Sequence, residues 1–433
     1  MPVESHSQVV TESFSKERSA LPTFATKSGF TPHDLRDHNL ALVLRYILLG
    51  QGKWSRADVA AHTGITRATV SRLVDELIHA GLVNEREPYV SSRRGRPATR
   101  LVPAAYTHYA IGIEVNPYCL VGYAVDLTGE ILARDYVYQN SIVKSPAEIM
   151  RCLSRMAHGL KTQVEARESR FIGLGISVPG VLIEDSKVTS IILGWDEVDY
   201  EKILKEVHDL GPVLAGNDGA MAAYALAYPF PGVPAGPESL IYFSGNEGIS
   251  GGIVIDHEIF DGQHGRASEL GHLCGALEGP TCKCGSIGCL ESRLGMDALL
   301  SEAQLPPDSQ LKEILSSAAT GSEPAKQTLE HAGRILGVFL AGIANMMDIS
   351  DTVIAGHLTE IWEGIAPFVH QELVQRLLYI KPAEFKIEIS EDTHGMAARG
   401  IAHRVLRELI SNPARWIDDP ELSFEAVVEW IYS

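Results

Sequence analysis

The chain has 433 residues, of which 45% are hydrophobic and 21% charged, and its formal net charge is −18. This composition is typical of a globular protein with a large buried core, and the length is enough for two or three domains. It excludes a membrane-spanning protein, because the best apolar run, residues 40–50, is short and contains Arg45. The N-terminus lacks the apolar core of a signal peptide, so we expect a cytoplasmic protein.

The charge is distributed unevenly along the chain. Residues 31–102 contain 11 lysines and arginines against 7 acidic residues, whereas residues 103–433 carry a net charge of −22. A basic module on an acidic body favours a polyanionic partner, such as nucleic acid, for the module alone. The preceding residues 1–30 show no hydrophobic periodicity, and we predict a disordered arm there.

The basic module carries the sequence pattern of two helices joined by a tight turn. A first helical pattern ends at Gly50, and Ser55 with Asp58 then predicts the capped start of a short helix. Gly64 can turn the chain at positive φ, and Thr66 caps the following helix. The apolar positions of that helix fall on one stripe: Val70, Leu73 and Leu77. This arrangement predicts a helix-turn-helix, whose second helix enters the major groove of DNA.

Two sets of side chains in this module are candidates for DNA contact. The exposed face of the second helix offers Arg67, Thr69, Ser71 and Arg72, which suit base edges and phosphates. A β-prone stretch then leads to an arginine-rich tip, typical of a wing that enters the minor groove, with Arg93, Arg94 and Arg96. We therefore predict a winged helix-turn-helix DNA-binding domain over residues 31–102. The alternative is a helical protein-interaction module with a solvated basic loop.

From residue 103 onwards, glycine-rich strand hairpins are followed by alternating helices and strands, and this order occurs twice. The repetition predicts two related α/β lobes with a ligand-binding cleft between them. The predicted ranges are residues 103–225 plus 390–411 for the first lobe, 226–389 for the second, and 412–433 for a C-terminal extension without an assigned function.

Four of the six cysteines lie in one short segment. Cys282, Cys284 and Cys289 have the spacing C-x-C-x4-C, so their thiolates can converge on one ion. Zn²⁺ takes four nitrogen or sulfur ligands in a tetrahedron, and His272 is the best fourth ligand, with Cys274 as its competitor. With all four positions filled, the site would be closed and structural. A redox pair or unliganded buried thiols are the alternatives.

Two glutamates flank the predicted ligands. Glu269 precedes His272 by three residues, and Glu291 follows Cys289 by two. Carboxylates held rigidly at a cleft can accept hydrogen bonds from sugar hydroxyls, although either glutamate alone would be typical of a solvated surface.

Three segments together resemble one protein family. "FDGQHGRASELGH", "CKCGSIGCLE" and the earlier "GNDGAMAAYAL" are similar to the ROK family of repressors, open reading frames and sugar kinases. The resemblance covers about residues 103–411, and the preceding winged helix-turn-helix matches the repressor branch of the family. It implies an actin/hexokinase-like pair of α/β lobes with an interlobe cleft.

The resemblance also implies the residues of two adjoining sites. It places zinc on His272, Cys282, Cys284 and Cys289. It places sugar hydroxyls against Gly180, Asn217, Asp218, Glu269, His272 and Glu291. One ring nitrogen of His272 would then face the metal and the other the sugar. Asp218 would occupy the position of the kinase general base.

The nucleotide half of the kinase pattern is altered in this sequence. Glu114, Asn116 and Pro117 stand where the family's first phosphate loop is expected, and Pro117 has no N–H to donate. Glu247 replaces a threonine of the second loop, and a carboxylate about 4 Å from a phosphate charge would cost about 4 kcal/mol. The adenosine-side segment retains only Gly356 of a glycine pair. We therefore predict no enzymatic activity and regard Asp218 as a vestigial base.

The sequence thus predicts a sugar-responsive transcriptional regulator, most simply a repressor of carbohydrate-uptake or catabolic genes. Its expected partners are a palindromic double-stranded DNA operator, a sugar or sugar phosphate, and a second copy of the chain, with a tetramer as the larger assembly. Its expected cofactor is structural Zn²⁺. Two alternatives stay open: an ATP-dependent sugar kinase that also binds DNA, and a DNA-binding protein gated by a protein that docks on the zinc lobe.

Overall fold

A computed structural model describes residues 32–86, 99–165, 169–183, 187–199, 210, 213–245, 248–275, 277–390 and 394–418. The predicted arm at residues 1–30 and the arginines at the tip of the predicted wing lie outside these ranges. Within them, no helix combines the length and the apolar character that crossing a membrane requires.

In its described residues, the basic module forms three helices and one pair of strands. Its elements are α1 (Pro32–Gly50), α2 (Arg56–Thr63), α3 (Arg67–His79), β1 (Val83–Arg86) and β2 (Arg100–Pro103), with β1 antiparallel to β2. The predicted caps are confirmed, because Ser55 and Asp58 form a reciprocal capping box and Thr66 accepts a hydrogen bond from the N–H of Thr69. Gly64 turns the chain between α2 and α3 at φ 73°. The predicted helix-turn-helix is therefore present, and β1 and β2 are the strands of its hairpin.

The first lobe is built on a five-stranded sheet. Its strands are β3 (His108–Val115), β4 (Cys119–Asp126), β5 (Ile131–Tyr138), β6 (Arg170–Val178) and β10 (Val213–Asn217). Its helices are α4 (Pro146–Glu165), α5 (Asp218–Ala227) and α11 (Met396–Ser411). A small antiparallel sheet follows β6 and comprises β7 (Val181–Ile183), β8 (Lys187–Ser190) and β9 (Trp195–Asp199).

The second lobe repeats this plan. Its strands are β11 (Leu240–Gly245), β12 (Ile249–Ile255), β13 (Glu258–Ile259), β14 (Asp351–Gly356) and β15 (Lys386–Ile389). Its helices are α6 (Glu291–Leu294), α7 (Met296–Glu302), α8 (Lys312–Ala319), α9 (Glu323–Met347) and α10 (Trp362–Arg376). Short 3₁₀ turns occupy Leu270–His272 and His357–Ile361.

The strand order shows that the two lobes are duplicates. The first sheet runs β10-β6-β3-β4-β5 and the second runs β15-β14-β11-β12-β13. When the five strands of each sheet are numbered by their order along the chain, both sheets run fifth, fourth, first, second, third. In both sheets the first three strands pair antiparallel, the fourth pairs in parallel with the first, and the fifth pairs in parallel with the fourth. The duplication predicted from the sequence is confirmed.

The lobes meet through glycine backbone. Helix α5 of the first lobe packs against β12 of the second, and a Cβ on Gly219 would lie 2.2 Å from the carbonyl oxygen of Gly251. A Cβ on Gly252 would likewise lie 2.5 Å from the carbonyl oxygen of Gly219. Only glycine permits so close an approach, so the first turn of α5 sits directly between the lobes.

The basic module and the first lobe share one hydrophobic core. Buried Leu44 and Leu73 of the module belong to the same cluster as Met221 of α5 and Leu406 of α11. Helix α1 of the module packs directly on α11, so the module is packed onto the first lobe rather than attached by chain connectivity alone.

A charged clamp reinforces this junction. The guanidinium of Arg36 in α1 forms two 3.0 Å hydrogen bonds to the carboxylate of Asp418, at the end of α12 (Pro413–Asp418). Its Nε also donates to Glu76 of α3 at 3.0 Å. The start of the C-terminal extension, for which the sequence analysis assigned no function, thus holds the basic module against the body.

Candidate functional site

The four predicted metal ligands converge at one point in the second lobe. The ligand atoms of His272, Cys282, Cys284 and Cys289 all lie within 4.8 Å of one another. The Sγ atoms of Cys284 and Cys289 are 3.6 Å apart, and the Sγ of Cys282 is 3.6 Å from Nδ1 of His272. A disulfide needs about 2.05 Å, so none of these pairs is bonded.

The separations match the edges of a tetrahedral zinc site. Zinc–sulfur bonds of about 2.3 Å place two thiolates of a tetrahedron about 3.8 Å apart, close to the observed distances. Three thiols and an imidazole also form a donor set that favours zinc over other biological cations. The residues present therefore fit a structural Zn²⁺.

Local backbone geometry explains how one short segment supplies three ligands. Gly285 and Gly288 adopt φ angles of 89° and 77°, in the left-handed region that favours glycine. The N–H of Cys282 donates to the carbonyl of Ser286 at 2.8 Å, which closes the loop around the thiols. Cys274, the competitor considered above, is exposed and is not part of the ligand cluster.

Glu291 connects the cysteine cluster to the interlobe cleft. Its Oε1 lies 3.6 Å from the Sγ of Cys282, and its Oε2 accepts a hydrogen bond from the N–H of Ile249 at 3.2 Å. A single side chain therefore contacts both the cluster and the β12 wall of the cleft. Loss of the cluster's geometry would release this carboxylate.

The opposite wall of the cleft comes from the first lobe. Asn217 caps α5 with its side-chain oxygen, which accepts from the N–H of Ala220 at 2.9 Å, and its Nδ2 donates to the carbonyl of Gly180 at 3.0 Å. Asp218 follows at the first position of the helix. Its Oδ1 accepts hydrogen bonds from the Ser250 hydroxyl at 2.9 Å and from the Gly219 N–H at 2.8 Å. The rest of the carboxylate faces the cleft.

The electrostatics of the cleft favour neutral ligands with hydroxyl groups. Burial, assisted by the negative charges of Glu114 and Glu269, raises the pKa of Asp218 to about 7, although the Ser250 hydrogen bond opposes the shift. Burial and the neighbouring Glu291 also raise the pKa of Glu269. Several carboxyl groups thus share one desolvated space, where they can accept hydrogen bonds but would repel an anion.

All six residues predicted to contact sugar line a single cavity of about 130 Å³ between the lobes. The structure adds residues that the sequence analysis did not identify: Ser250, Lys283, Thr189 and Ile192. Ser250 lies in the glycine-rich hairpin segment and could have been found there. Thr189 and Ile192 belong to the small β7–β9 sheet region, where the sequence carries no recognisable motif.

On the far side of the cleft, Glu114 has a role that the sequence did not reveal. It is 5% exposed, and its carboxylate accepts hydrogen bonds from the N–H groups of Gly395 and Ala398 at 3.1 and 3.3 Å. These groups belong to the N-terminus of α11, a position that otherwise attracts a phosphate. A protein carboxylate therefore occupies a natural anion site.

The β3–β4 turn beside Glu114 offers few donors to a phosphate. Asn116 uses its N–H to bond the carbonyl of Cys119 at 2.9 Å and its side-chain amide to bond Glu114 at 2.7 Å. Pro117 has no N–H. Glu247, which also entered the sequence argument, lies outside the described residues.

The predicted DNA contacts of α3 are arranged near its N-terminal end. Arg67 and Arg72 are exposed, and the Thr69 hydroxyl lies 2.9 Å from that of Thr66 within the helix cap. Nη1 of Arg72 donates a hydrogen bond to Oε1 of Glu76 at 3.4 Å. The backbone carbonyl of Ser71 accepts a hydrogen bond from Nη1 of Arg56 at 2.9 Å. Arg67 and Arg72 thus present positive charge on the open face of the helix. The wing arginines Arg93, Arg94 and Arg96 lie outside the described residues.

Comparison with known families finds two matches. A model of the ROK family matches residues 110–408, and a model of the IclR helix-turn-helix domain matches residues 39–87.

Comparison with individual proteins finds relatives that span most of the chain. The xylose repressor of Bacillus subtilis strain 168 is 28% identical over 341 residues, which are 78% of this chain and 87% of the repressor. The DNA-binding transcriptional dual regulator NagC of Escherichia coli K12 is 25% identical over 370 residues, 82% of this chain and 90% of NagC. A crystal structure of a ROK family transcriptional regulator, described as a homologue of the E. coli Mlc protein, superimposes with a TM-score of 0.72 at 20% identity, covering 89% of this chain and all of the other.

Proposed function

The chain belongs to the ROK family, and from this premise we propose that it is a sugar-responsive transcriptional repressor that binds its effector between the lobes. The observation that carries the proposal is the cavity itself. Asn217, Asp218, Glu269 and Glu291 converge on one interlobe space beside a cluster suited to zinc. The names of the relatives, a xylose repressor and NagC, support a role in carbohydrate-linked regulation.

In this proposal, the cleft residues bind rather than catalyse. Asp218 accepts a hydrogen bond from a sugar hydroxyl, and Glu269 and Glu291 accept others. Nδ1 of His272 faces the cysteine cluster and would bind the metal, so Nε2 is left to bond the sugar. Bound Zn²⁺ would fix the loop that carries His272 and, through its ligand Cys289, the start of the helix that begins at Glu291.

The same geometry argues against phosphoryl transfer. The Glu114 carboxylate occupies the helix N-terminus at which a phosphate would bind. In the adjacent turn, the N–H and side-chain amide of Asn116 already donate to protein acceptors, and Pro117 has no N–H. Phosphoryl transfer depends on dense positive charge and N–H donors around the phosphates. We therefore propose that the chain retains a sugar site without a working nucleotide site.

A mechanical connection between the two sites supports the regulatory role. Helix α5 begins at Asp218 in the cleft and ends in the hydrophobic core shared with α1 and α3. Glu114, on the far side of the cleft, accepts a hydrogen bond at the start of α11, which packs on the same core. Closure of the lobes around a sugar would shift these helices together and change the position of the DNA-binding module. In a dimer on a palindromic operator, that shift would alter the spacing of the recognition helices and reduce DNA affinity.

One experiment tests the proposal as a whole. A thermal-shift screen of the purified protein would use xylose, glucose, N-acetylglucosamine and their phosphates. The screen detects binding because a ligand at 100 times its Kd stabilises the folded protein by about 2.7 kcal/mol. The best ligand would then be added in a mobility-shift assay with a duplex selected from a random-sequence pool. We expect stabilisation by at least one sugar and release of the duplex. A screen in which no sugar stabilises the protein would contradict the proposal.

Sugar affinity is predicted to depend on pH through Asp218. Because the pKa of Asp218 is raised to about 7, the sugar-free protein holds a proton there at pH 6 and has lost it at pH 8. A hydroxyl that donates to the carboxylate binds the ionised form, so affinity should fall about tenfold from pH 8 to pH 6. Calorimetry at the two pH values measures this. Asp218→Asn should bind weakly and without the pH dependence; an equal dependence in the variant would assign it to another group.

Loss of a recognition-helix arginine should weaken DNA binding. A bidentate contact from arginine to guanine contributes about 1–3 kcal/mol, so Arg67→Ala should lower affinity for the selected duplex roughly tenfold or more. Fluorescence anisotropy at two salt concentrations measures the effect. Arg155→Ala removes the same charge from the exposed surface of the first lobe and should bind normally. Normal binding by Arg67→Ala would remove α3 from the DNA interface.

A further inference from the structure

A second cavity lies across the β3–β4 turn from the proposed sugar site. It has a volume of about 300 Å³ and is lined partly by three tyrosines, Tyr118, Tyr136 and Tyr138. Its other walls include His394 and Glu360. Neither the zinc cluster nor the proposed sugar contacts use this cavity.

The tyrosines form an exposed aromatic platform. Tyr136 and Tyr138 lie on one face of the edge strand β5, with ring centroids 4.5 Å apart at an interplanar angle of 64°. The Tyr136 ring is 6.3 Å from the ring of His394. Tyr138 is 82% exposed and Tyr118 is 45% exposed. A group of exposed aromatic rings at the edge of a cavity is typical of a surface that binds a ligand.

The charge of this cavity excludes a polyphosphate ligand. No lysine or arginine is found among its described lining residues, and Glu360 contributes negative charge. Polyphosphates require cationic side chains or clustered N–H donors. A neutral ligand with one apolar face and several hydroxyls suits the site better, because the C–H face of a pyranose can stack on phenol rings while Glu360 and His394 bond its hydroxyls.

The two cavities share a wall. Asn116 and Pro117 line both the space that contains Asp218 and the space that contains the tyrosines. The same turn therefore borders both cavities, so the second cavity lies next to one end of the first.

We propose that the aromatic cavity is a subsite for a second sugar residue, so that the effector is a disaccharide or a longer oligosaccharide. This inference rests on the proposed function, because it places the first residue of the ligand against Asp218 and Glu269. The second residue stacks on Tyr138 and Tyr136. The β3–β4 turn, with Asn116 and Pro117, then lies between two sugar rings. In a sugar kinase, the same turn would lie between a sugar and a nucleotide.

Calorimetry of the full chain with matched ligands tests this subsite. The probes are glucose with cellobiose and maltose, xylose with xylobiose, and N-acetylglucosamine with chitobiose. We expect one disaccharide to bind at least about tenfold more tightly than its monosaccharide, a gain of about 1.4 kcal/mol. In Tyr138→Ala that gain should disappear while the affinity for the monosaccharide is unchanged. Tyr379→Ala, which removes a 90% exposed tyrosine from the second lobe, should keep the gain.

The outcomes separate this inference from the proposed function. If monosaccharides bind and release DNA but no disaccharide binds more tightly, the subsite is wrong and the repressor proposal stands. A Tyr138→Ala variant that weakens both ligand sizes equally would also overturn the subsite, as would tight binding of a magnesium–nucleotide complex in this cavity. If no carbohydrate binds, the proposed function itself fails.

Discussion

Replacing Cys284 by serine is expected to strip the protein of zinc and to abolish its response to sugar. The Sγ of Cys284 is 3.6 Å from that of Cys289, and both belong to the four-atom ligand cluster. Loss of residues that merely support a ligand weakens metal binding about 10–100-fold, so loss of a ligand should exceed that range. The zinc content of the purified protein, measured by elemental analysis, should fall from one ion per chain to a small fraction of one.

The matched control for this experiment is Cys274→Ser. Cys274 is exposed and outside the ligand cluster, although its sequence position made it a competitor for the fourth site. This variant should keep both its zinc and its sugar response. Full zinc content in Cys284→Ser, or equal loss in both variants, would show that the ligand assignment is wrong.

The expected effect of zinc loss on sugar binding follows from Glu291. Glu291 lies two residues after the ligand Cys289, at the start of α6, and its Oε2 accepts a hydrogen bond from the N–H of Ile249 on the cleft wall. Without the metal, the loop between His272 and Cys289 loses its central contact and His272 loses its fixed orientation. We therefore expect the zinc-free variant to bind sugar weakly even if it folds and binds DNA.

Replacing Glu269 by alanine is expected to eliminate sugar binding while DNA binding persists. Glu269 lies immediately before the Leu270–His272 turn and faces the cavity together with Asp218. A hydrogen bond to a charged group contributes about 1.5–3 kcal/mol, so a carboxylate that accepts two sugar hydroxyls should contribute 100-fold or more in affinity. Calorimetry with the best sugar measures the loss, and a mobility-shift assay measures retained DNA affinity.

Glu165→Ala is the matched control, since Glu165 is an exposed glutamate on α4 of the first lobe. It should respond to sugar as the unsubstituted protein does. Glu269→Gln distinguishes charge from shape: it keeps the side-chain volume and one acceptor, so it should bind sugar more tightly than the alanine variant. Simultaneous loss of sugar and DNA binding in Glu269→Ala would contradict the separation of the two sites.

Much of this molecule was predictable because its signals are local. The Ser55–Asp58 capping box, the left-handed Gly64 and the Thr66 cap depend on residues three or four positions apart, and each occurs as expected. The cysteine spacing predicted the ligand cluster for the same reason, since only a short loop separates Cys282 from Cys289. The repeated order of strands and helices predicted the duplicated lobes.

The sequence analysis missed contacts between distant segments. Glu114 was seen as a departure from a kinase pattern, whereas the structure shows it accepting from Gly395, 281 residues away. The clamp between Arg36 and Asp418 joins residues 382 positions apart and gives the C-terminal extension a structural role. The β7–β9 sheet, which forms part of the cleft wall, carries no motif at all.

The sequence by itself therefore determined the chemistry available to this protein: helix caps, metal donors, carboxylates and two arginines exposed on α3. It could do so because these features depend on residue type and on spacing of a few positions. Only the tertiary structure decided which of them meet. Packing of the two lobes brings together residues from Gly180 to Glu291 in one cleft and from Tyr118 to His394 in another. Such meetings depend on the three-dimensional path of the whole chain, which leaves no local pattern in the sequence.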